Sequence, residues 1–327
     1  MLARFPRVNL VELPTALEPL LRLGELAQHR QLFIKRDDLM SLGVGGNKLR
    51  HLEFWLGEAL ANDCDLVIAC GLPESNQCRL TAAAAAKLDL ECWLLHNTDR
   101  PDFWQGNLLL DSLFGAKSIF LGPMDEEARG RHAEELVAKL RQQGRRPYLI
   151  GNVARGTLGY VNAAYELQQQ ARDHCIDIKH VVMVGAMGGT ASGFIYGTAL
   201  LGRPWHVHVI SVEYEEAELS ALLHANCRSI AALLEQPTPV PIDDVFTIYD
   251  AYLGPGYAQP TPQSIYWLRQ LAQTEGILLE NTYTAKVLWG MMDLISQRVI
   301  PRDKGVCFWH TGGLPALFGQ AEMVQPE

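Results

Sequence analysis

The seven cysteines include no Cys-x-x-Cys pair. Such a pair would point to a redox or zinc centre, and an odd, scattered set does not read as a disulfide framework. Cys64, Cys70, Cys78, Cys92, Cys175, Cys227 and Cys307 are therefore expected as reduced, buried thiols, which suits a cytoplasmic protein. No apolar run approaches membrane-spanning length. The first residues, with Arg4, Pro6, Arg7, Asn9, Glu12 and Pro14, lack the apolar core of a signal peptide. Basic charge is scarce as well. The chain has 28 Lys and Arg against 37 Asp and Glu, a net charge of −9, so it has no basic stripe for a nucleic acid. One phosphate in a pocket is a local matter and stays open. Neither a Walker loop nor G-x-G-x-x-G occurs, so a dinucleotide is not favoured. Repeats, low-complexity tracts and Pro-rich linkers are absent too.

What is present is an ordinary globular composition. The 327 residues are 48% hydrophobic and mean hydropathy is near zero, enough for one large or two modest domains. A first helix is expected from Thr15 to His29, carried by Leu17, Leu20, Leu21, Leu23 and Leu26. Strand and helix signals then alternate almost to the end. Strands are expected at 32–38, 65–71, 91–95, 117–121, 147–150, 180–184, 205–212, 244–249 and 306–310. Helices are expected at 49–60, 76–87, 107–114, 126–143, 156–172, 190–201, 215–234, 264–274 and 283–296. This alternation predicts an α/β protein with parallel or mostly parallel sheets flanked by helices. Two sheets are expected rather than one very wide one.

In such sheets ligands sit beyond the carboxyl ends of the strands. Four strand exits carry residues suited to chemistry. The first is Gly43-Val44-Gly45-Gly46-Asn47-Lys48. Asn47 is a natural N-cap, and Lys48 in the first turn shares a face with Leu52 and Trp55. Burial disfavours an ammonium group there, so Lys48 either snorkels its head to the surface or reads as a neutral amine, a Schiff-base partner or a phosphate ligand. The second exit is Gly71 to Arg79, where Ser75, Asn76 and Gln77 start a helix. They either cap it or present donors to an anion. The third is Gly185-Ala186-Met187-Gly188-Gly189-Thr190, which is either a tightly packed turn or a loop whose N–H groups cradle a phosphate. The fourth is His310-Thr311-Gly312-Gly313, where Thr311 offers one hydrogen bond and His310 reads as a satisfied core histidine. A phosphate cradle, an inward lysine and donors after two other strands suit a phosphorylated cofactor that bonds to lysine. Pyridoxal phosphate meets all three.

The sequence resembles the D-cysteine desulfhydrase and 1-aminocyclopropane-1-carboxylate deaminase group of fold-type II pyridoxal-phosphate enzymes. The matching segments are Lys35-Arg36-Asp37-Asp38, Gly45 to Arg50, Ser75-Asn76-Gln77, Leu110 to Ala116, Leu158 to Ala164, Gly188-Gly189-Thr190, Gly254-Pro255-Gly256-Tyr257 and His310 to Pro315. They run in the group's order. The resemblance implies a two-domain chain, with residues 1–50 and 158–327 in a large cofactor-binding domain and 51–157 in a smaller one. It implies that Lys48 carries the cofactor covalently and that Ser75, Tyr257 and Tyr283 join it in catalysis. Asn47, Asn76, Ala186, Met187, Gly188, Gly189, Thr190, Thr284 and Thr311 would surround the cofactor. Ser75, Asn76 and Gln77 would face the substrate carboxylate. No metal is expected. The partners expected are a small amino acid and a second copy of the chain.

Within the group, the deaminases have Glu where this chain has Thr284 and Leu where it has Thr311. Both positions place it on the D-cysteine desulfhydrase side. That implies β-elimination to pyruvate, hydrogen sulfide and ammonia. Ring-opening deamination to 2-oxobutanoate is the first alternative, and a non-catalytic cofactor-binding protein the second. Three positions depart from the group's pattern. His51 replaces a second lysine, Glu74 precedes the Ser-Asn-Gln segment, and Asn152 to Gly156 replaces a Gly-Gly-Ser-Asn type turn. In that turn Arg155 is a candidate phosphate or carboxylate contact.

Overall fold

The computed structural model of the chain describes residues 1–320. The strands, in chain order, are β1 Leu17–Pro19, β2 Leu32–Arg36, β3 Leu66–Cys70, β4 Glu91–His96, β5 Lys117–Phe120, β6 Pro147–Leu149, β7 Ile178–Gly185, β8 His206–Ser211, β9 Phe246–Tyr249 and β10 Gly305–His310. The helices are α1 Leu21–Ala27, α2 Lys48–Ala61, α3 Asn76–Lys87, α4 Gly106–Leu113, α5 Glu126–Gln142, α6 Val153–Asp173, α7 Gly189–Leu200, α8 Glu216–Leu234, α9 Pro262–Glu275, α10 Thr284–Ser296 and α11 Leu314–Phe318.

Two sheets form, as the alternation predicts. The larger runs β1-β2-β10-β7-β8-β9 and the smaller β5-β4-β3-β6. Every pairing is parallel except β1 with β2. Along β7, Val181 and Met183 pack into one core with α6, α7 and α8. Val182 and Val184 pack into the other, with α1, α9 and α10. A strand's side chains alternate between faces, and a parallel sheet covered on both sides must be apolar on both. The smaller sheet is covered in the same way, by α2 and α3 on one face and α5 on the other.

The strand order also locates the site. From β7 the chain steps outward through β8 and β9, then returns to place β10 on the other side of β7. The crevice at such a reversal is where open α/β sheets bind ligands. Its rims are the exits of β7 and β10, which are Gly185–Thr190 and Thr311–Gly313. In the smaller sheet the reversal lies between β3 and β6, so the β3 exit, with Ser75 and Asn76, is the corresponding rim.

Three expectations need correction. The helix expected from Thr15 begins only at Leu21, because residues 17–19 pair with β2. Pro19 disfavours helical backbone at Glu18, and its missing N–H is tolerated on an edge strand. Helix α6 begins three residues earlier than expected, because the Asn152 side chain accepts the Arg155 N–H at 3.1 Å and caps it. Cys175 is exposed rather than buried, and Cys64 and Cys70 are half-buried. The other four cysteines are buried, and all seven are free thiols.

Candidate functional site

Helix α2 is amphipathic as the sequence predicts, with Leu49, Leu52, Phe54, Trp55 and Leu56 buried. Lys48 opens it, half-buried, with no hydrogen bond from Nζ among the described residues. Burial draws its ammonium down to about 8, against the pull of the Glu213 carboxylate. A neutral, nucleophilic amine is therefore accessible near physiological pH.

Asn47 stands at the N-cap, yet its side chain caps nothing. Its Nδ2 instead donates to Thr190 Oγ1 at 2.9 Å, and its backbone N–H donates to the Thr311 carbonyl at 2.9 Å. One residue thus ties the start of α2 to the exits of β7 and β10. Gly312 makes that junction possible. Its φ is +92°, and a Cβ there would lie 2.7 Å from Gly46 Cα. Arg79 fixes the turn from the other side. Fully buried, it donates to the carbonyls of Gly43 and Gly45 and, at 3.3 Å, to Asn76 Oδ1.

Across from Lys48, β7 ends in the Gly-rich loop and α7 begins. The cap residue Gly188 is left-handed at φ +75°, and no side chain caps the helix. The N–H groups of Gly189, Thr190 and Ala191 find no backbone acceptor among the described residues. Uncapped N–H groups and the positive end of the helix dipole form an anion site. The Thr190 hydroxyl is held between Asn47 and His51 Nε2, the latter at 3.0 Å. Burial, with the Lys48 charge, holds the His51 imidazole well below its ordinary pKa, so His51 is a neutral neighbour rather than a second cation. Ala186 and Met187 complete the loop, and Met187 Sδ accepts from the Tyr214 hydroxyl at 3.2 Å.

The β3 exit supplies the third side. The Ser75 hydroxyl accepts the Cys78 N–H at 3.3 Å, so it caps α3, the bland alternative for this residue. Asn76 Oδ1 accepts from Arg79 and from Asn107, the latter at 3.1 Å. Its Nδ2 points at Gly313, 3.4 Å from where a Cβ there would stand. The Gln77 side chain makes no hydrogen bond among the described residues.

The fourth side is built by a residue the sequence reading passed over. Glu280 is buried, and its carboxylate accepts the N–H groups of Thr282, Tyr283 and Thr284 at 2.7, 2.9 and 2.8 Å. It thereby fixes the start of α10. The Thr284 hydroxyl lies 3.1 Å from the same carboxylate. The Tyr283 and Tyr257 hydroxyls hydrogen-bond to each other. Burial, with Glu213, Glu280 and Glu74 nearby, pushes Tyr257 up to about 12 against the Tyr283 hydrogen bond. Lys286, also unanticipated, is buried and donates to the Leu253 and Gly256 carbonyls at 2.7 and 2.8 Å, tethering the loop that carries Tyr257.

His310 is the satisfied core histidine expected. Its Nε2 lies 2.9 Å from the Leu278 carbonyl and its Nδ1 accepts from the Gly312 N–H. Arg155 does not reach the cradle. It pairs with Glu58 at 2.6 Å and stacks on Phe5.

Glu213 is the remaining unforeseen group. The Val212 N–H donates to the Gly185 carbonyl at 2.9 Å, holding the β7 and β8 exits side by side. Glu213 follows, between that bond and the Tyr214 contact to Met187. It is half-buried and unbonded among the described residues. Burial pushes its carboxyl up to about 7; Glu126 and Glu218 add to this and Lys48 opposes it. The signal was its place directly after a strand, hidden because Glu215, Glu216 and Glu218 make the segment read as an acidic surface helix.

Among the described residues, no group of three or more His, Cys, Asp or Glu side chains is placed to hold a metal, and no helix is long and apolar enough to cross a membrane. A sequence profile described as "Pyridoxal-phosphate dependent enzyme" matches residues 8–312. A D-cysteine desulfhydrase of Klebsiella pneumoniae (strain 342) is 38% identical over 325 residues, covering 97% of each chain. One of Salmonella newport (strain SL254) is 36% identical over 326 residues, again covering 97% of each. A crystal structure described as an ACC deaminase homologue superposes with a TM-score of 0.90 at 32% identity, covering 99% of this chain and 96% of that one. The processed form of threonine deaminase isoform 2 from Solanum lycopersicum, at TM-score 0.69 and 16% identity over 96% of this chain and 83% of that one, shares the fold.

Proposed function

The chain belongs to the pyridoxal-phosphate-dependent enzyme family, and from that premise we propose that it eliminates the β-substituent of a small amino acid, D-cysteine, to give pyruvate, hydrogen sulfide and ammonia. The observation that carries this reading is the pairing of a desolvated amine, Lys48, with the uncapped start of α7. An aldehyde needs the first and a phosphate needs the second, so the residues present fit the cofactor.

Lys48 would hold the cofactor through its amine. The loop from Ala186 to Thr190 would hold the phosphate with its N–H groups, and Asn47, Asn76, Thr284 and Thr311 would surround the ring. When bound, pyridoxal phosphate supplies an aldehyde for the substrate's amino group and a conjugated ring that accepts the electron pair left at Cα. Ser75, Asn76 and Gln77 would orient the substrate carboxylate at the start of α3, where N–H groups and the helix dipole favour an anion. Lys48 Nζ, released when the substrate amine takes its place, would remove the Cα proton. An amine poised near 8 is matched to that task. The thiolate then departs with the Cβ–S electron pair, and water releases pyruvate and ammonia. The Tyr257–Tyr283 pair would close the pocket wall opposite.

Ring-opening deamination is the second reading, supported by the similarity to the ACC deaminase homologue. Thr284 and Thr311 oppose it. A keto-acid assay with D- and L-cysteine, other β-substituted D- and L-alanines and 1-aminocyclopropane-1-carboxylate separates them. Pyruvate from D-cysteine is expected; 2-oxobutanoate from the cyclopropane, with no pyruvate from D-cysteine, would overturn the reading. Two domains, 1–50 with 158–327 and 51–157, and a homodimer complete the proposal, the latter checked by sedimentation.

A further inference from the structure

Glu213 is a carboxylate in this site without an assigned partner. Among the described residues it makes no hydrogen bond. Among the described residues, the one cation whose field reaches it is Lys48, whose amine the proposed reaction itself uses. Its own field reaches Tyr257 and Tyr283, the hydroxyl pair on the fourth side of the site. Its backbone is pinned beside the phosphate loop by the Val212–Gly185 bond, with the Tyr214 contact to Met187 one residue on.

A carboxylate there opposes a departing thiolate, because both carry negative charge. It suits a cationic substituent on Cβ, with which it forms a charge-assisted hydrogen bond. It also keeps an amine protonated, and a protonated amine can leave as neutral ammonia without a further acid. We propose that Glu213 gives this enzyme a second activity, elimination of ammonia from a β-ammonium alanine, 2,3-diaminopropionate. The inference rests on the β-elimination reading above. Lys48 Nζ takes the Cα proton, and the Cβ–N bond breaks with its electron pair leaving on nitrogen. In sum, one 2,3-diaminopropionate cation and one water give one pyruvate and two ammonium ions.

The test uses the full-length holoenzyme with both enantiomers of 2,3-diaminopropionate and with D-cysteine, measuring pyruvate release. Amino-acid affinity is read independently from the perturbation of the bound cofactor's visible absorption. Wild type is expected to release pyruvate from one diaminopropionate enantiomer. Glu213→Gln is expected to lower kcat/KM and affinity for it by about tenfold or more while raising kcat/KM for D-cysteine. Glu213→Asp should restore part of the diaminopropionate activity. Thermal melting and the visible band report whether each variant is folded and loaded. The inference is overturned if wild type consumes D-cysteine but neither diaminopropionate enantiomer. It is also overturned if folded, loaded Glu213→Gln lowers both substrates equally. Failure of wild type on every β-substituted amino acid would instead overturn the elimination reading itself.

Discussion

Asp37→Asn is the sharpest probe of how the fold holds Lys48 in place. Asp37 is fully buried and accepts five hydrogen bonds. Oδ1 takes the Thr15 hydroxyl at 2.9 Å and Arg50 Nη2 at 2.8 Å. Oδ2 takes Arg50 Nε at 2.9 Å, the Tyr160 hydroxyl at 2.6 Å and Trp309 Nε1 at 2.9 Å. Arg50 lies two residues from Lys48 and also pairs with Glu166 at 2.8 Å. An asparagine would turn one acceptor into an NH2 facing other donors. Burial raises the Asp37 pKa, but the Arg50 charge and hydrogen bonds overcome it and bring the group to about 2 from 3.8. That shift is worth about 2.4 kcal/mol. Breaking one side of a buried pair costs about 3–5 kcal/mol, and the low end applies because Glu166 still neutralises Arg50. We therefore expect a loss of about 2–3 kcal/mol in urea unfolding and, for a chain of 327 residues, a melting point lower by roughly 3–4 °C.

The same linkage fixes the pH dependence. The folded pKa is depressed, so the contribution is complete above about pH 4 and is lost as pH falls through about 2. Wild type and variant should converge in stability in that window. A neutral-pH loss below about 1 kcal/mol, or a difference that persists below pH 2, would refute the reasoning.

The other expectations follow the site. Lys48→Ala should abolish the visible cofactor band and borohydride-trapped adduct and cut keto-acid release by about 10³-fold or more, as read by absorbance and peptide mass. Capture of pyridoxal phosphate by the apoprotein should quicken with pH up to about 8, where the Lys48 amine loses its proton; a midpoint near 10 would show an ordinary, solvated lysine. Lys286→Met should strand the Leu253 and Gly256 carbonyls, cost about 1–3 kcal/mol and raise KM more than it weakens cofactor binding, since it loosens only the Tyr257 loop. Gly188→Ala should weaken phosphate affinity, because φ is +75° there and the new Cβ meets Asn226 and Leu223 at 3.2 Å; unchanged affinity for pyridoxal phosphate in a fluorescence titration would count against the cradle.

Most of the fold was legible in the sequence because hydrophobic period is a local property. β-Branched runs such as Val181 to Val184 and the Leu49, Leu52, Leu56 stripe fix their elements without help from distant residues. Residues 17–19 were misread because leucine spacing alone resembles a helix. Only pairing with β2, a tertiary contact, makes them a strand.

The site divides in the same way. Lys48 at a helix start, glycines that permit close approach and an uncapped loop before α7 are matters of residue type and spacing, and the chain alone determined them. Which groups face Lys48 was decided by the sheet order, which brings to it the exits of β7, β8 and β10, each more than a hundred positions further along the chain. That is why Asn47, by position a cap, bonds Thr190, and why Glu280 and Lys286 brace the tyrosines. It is also why Glu213, in an acidic stretch that reads as surface, lies within electrostatic reach of the Lys48 amine. Desolvation and charge proximity depend on what packs around a group, and no local pattern encodes them.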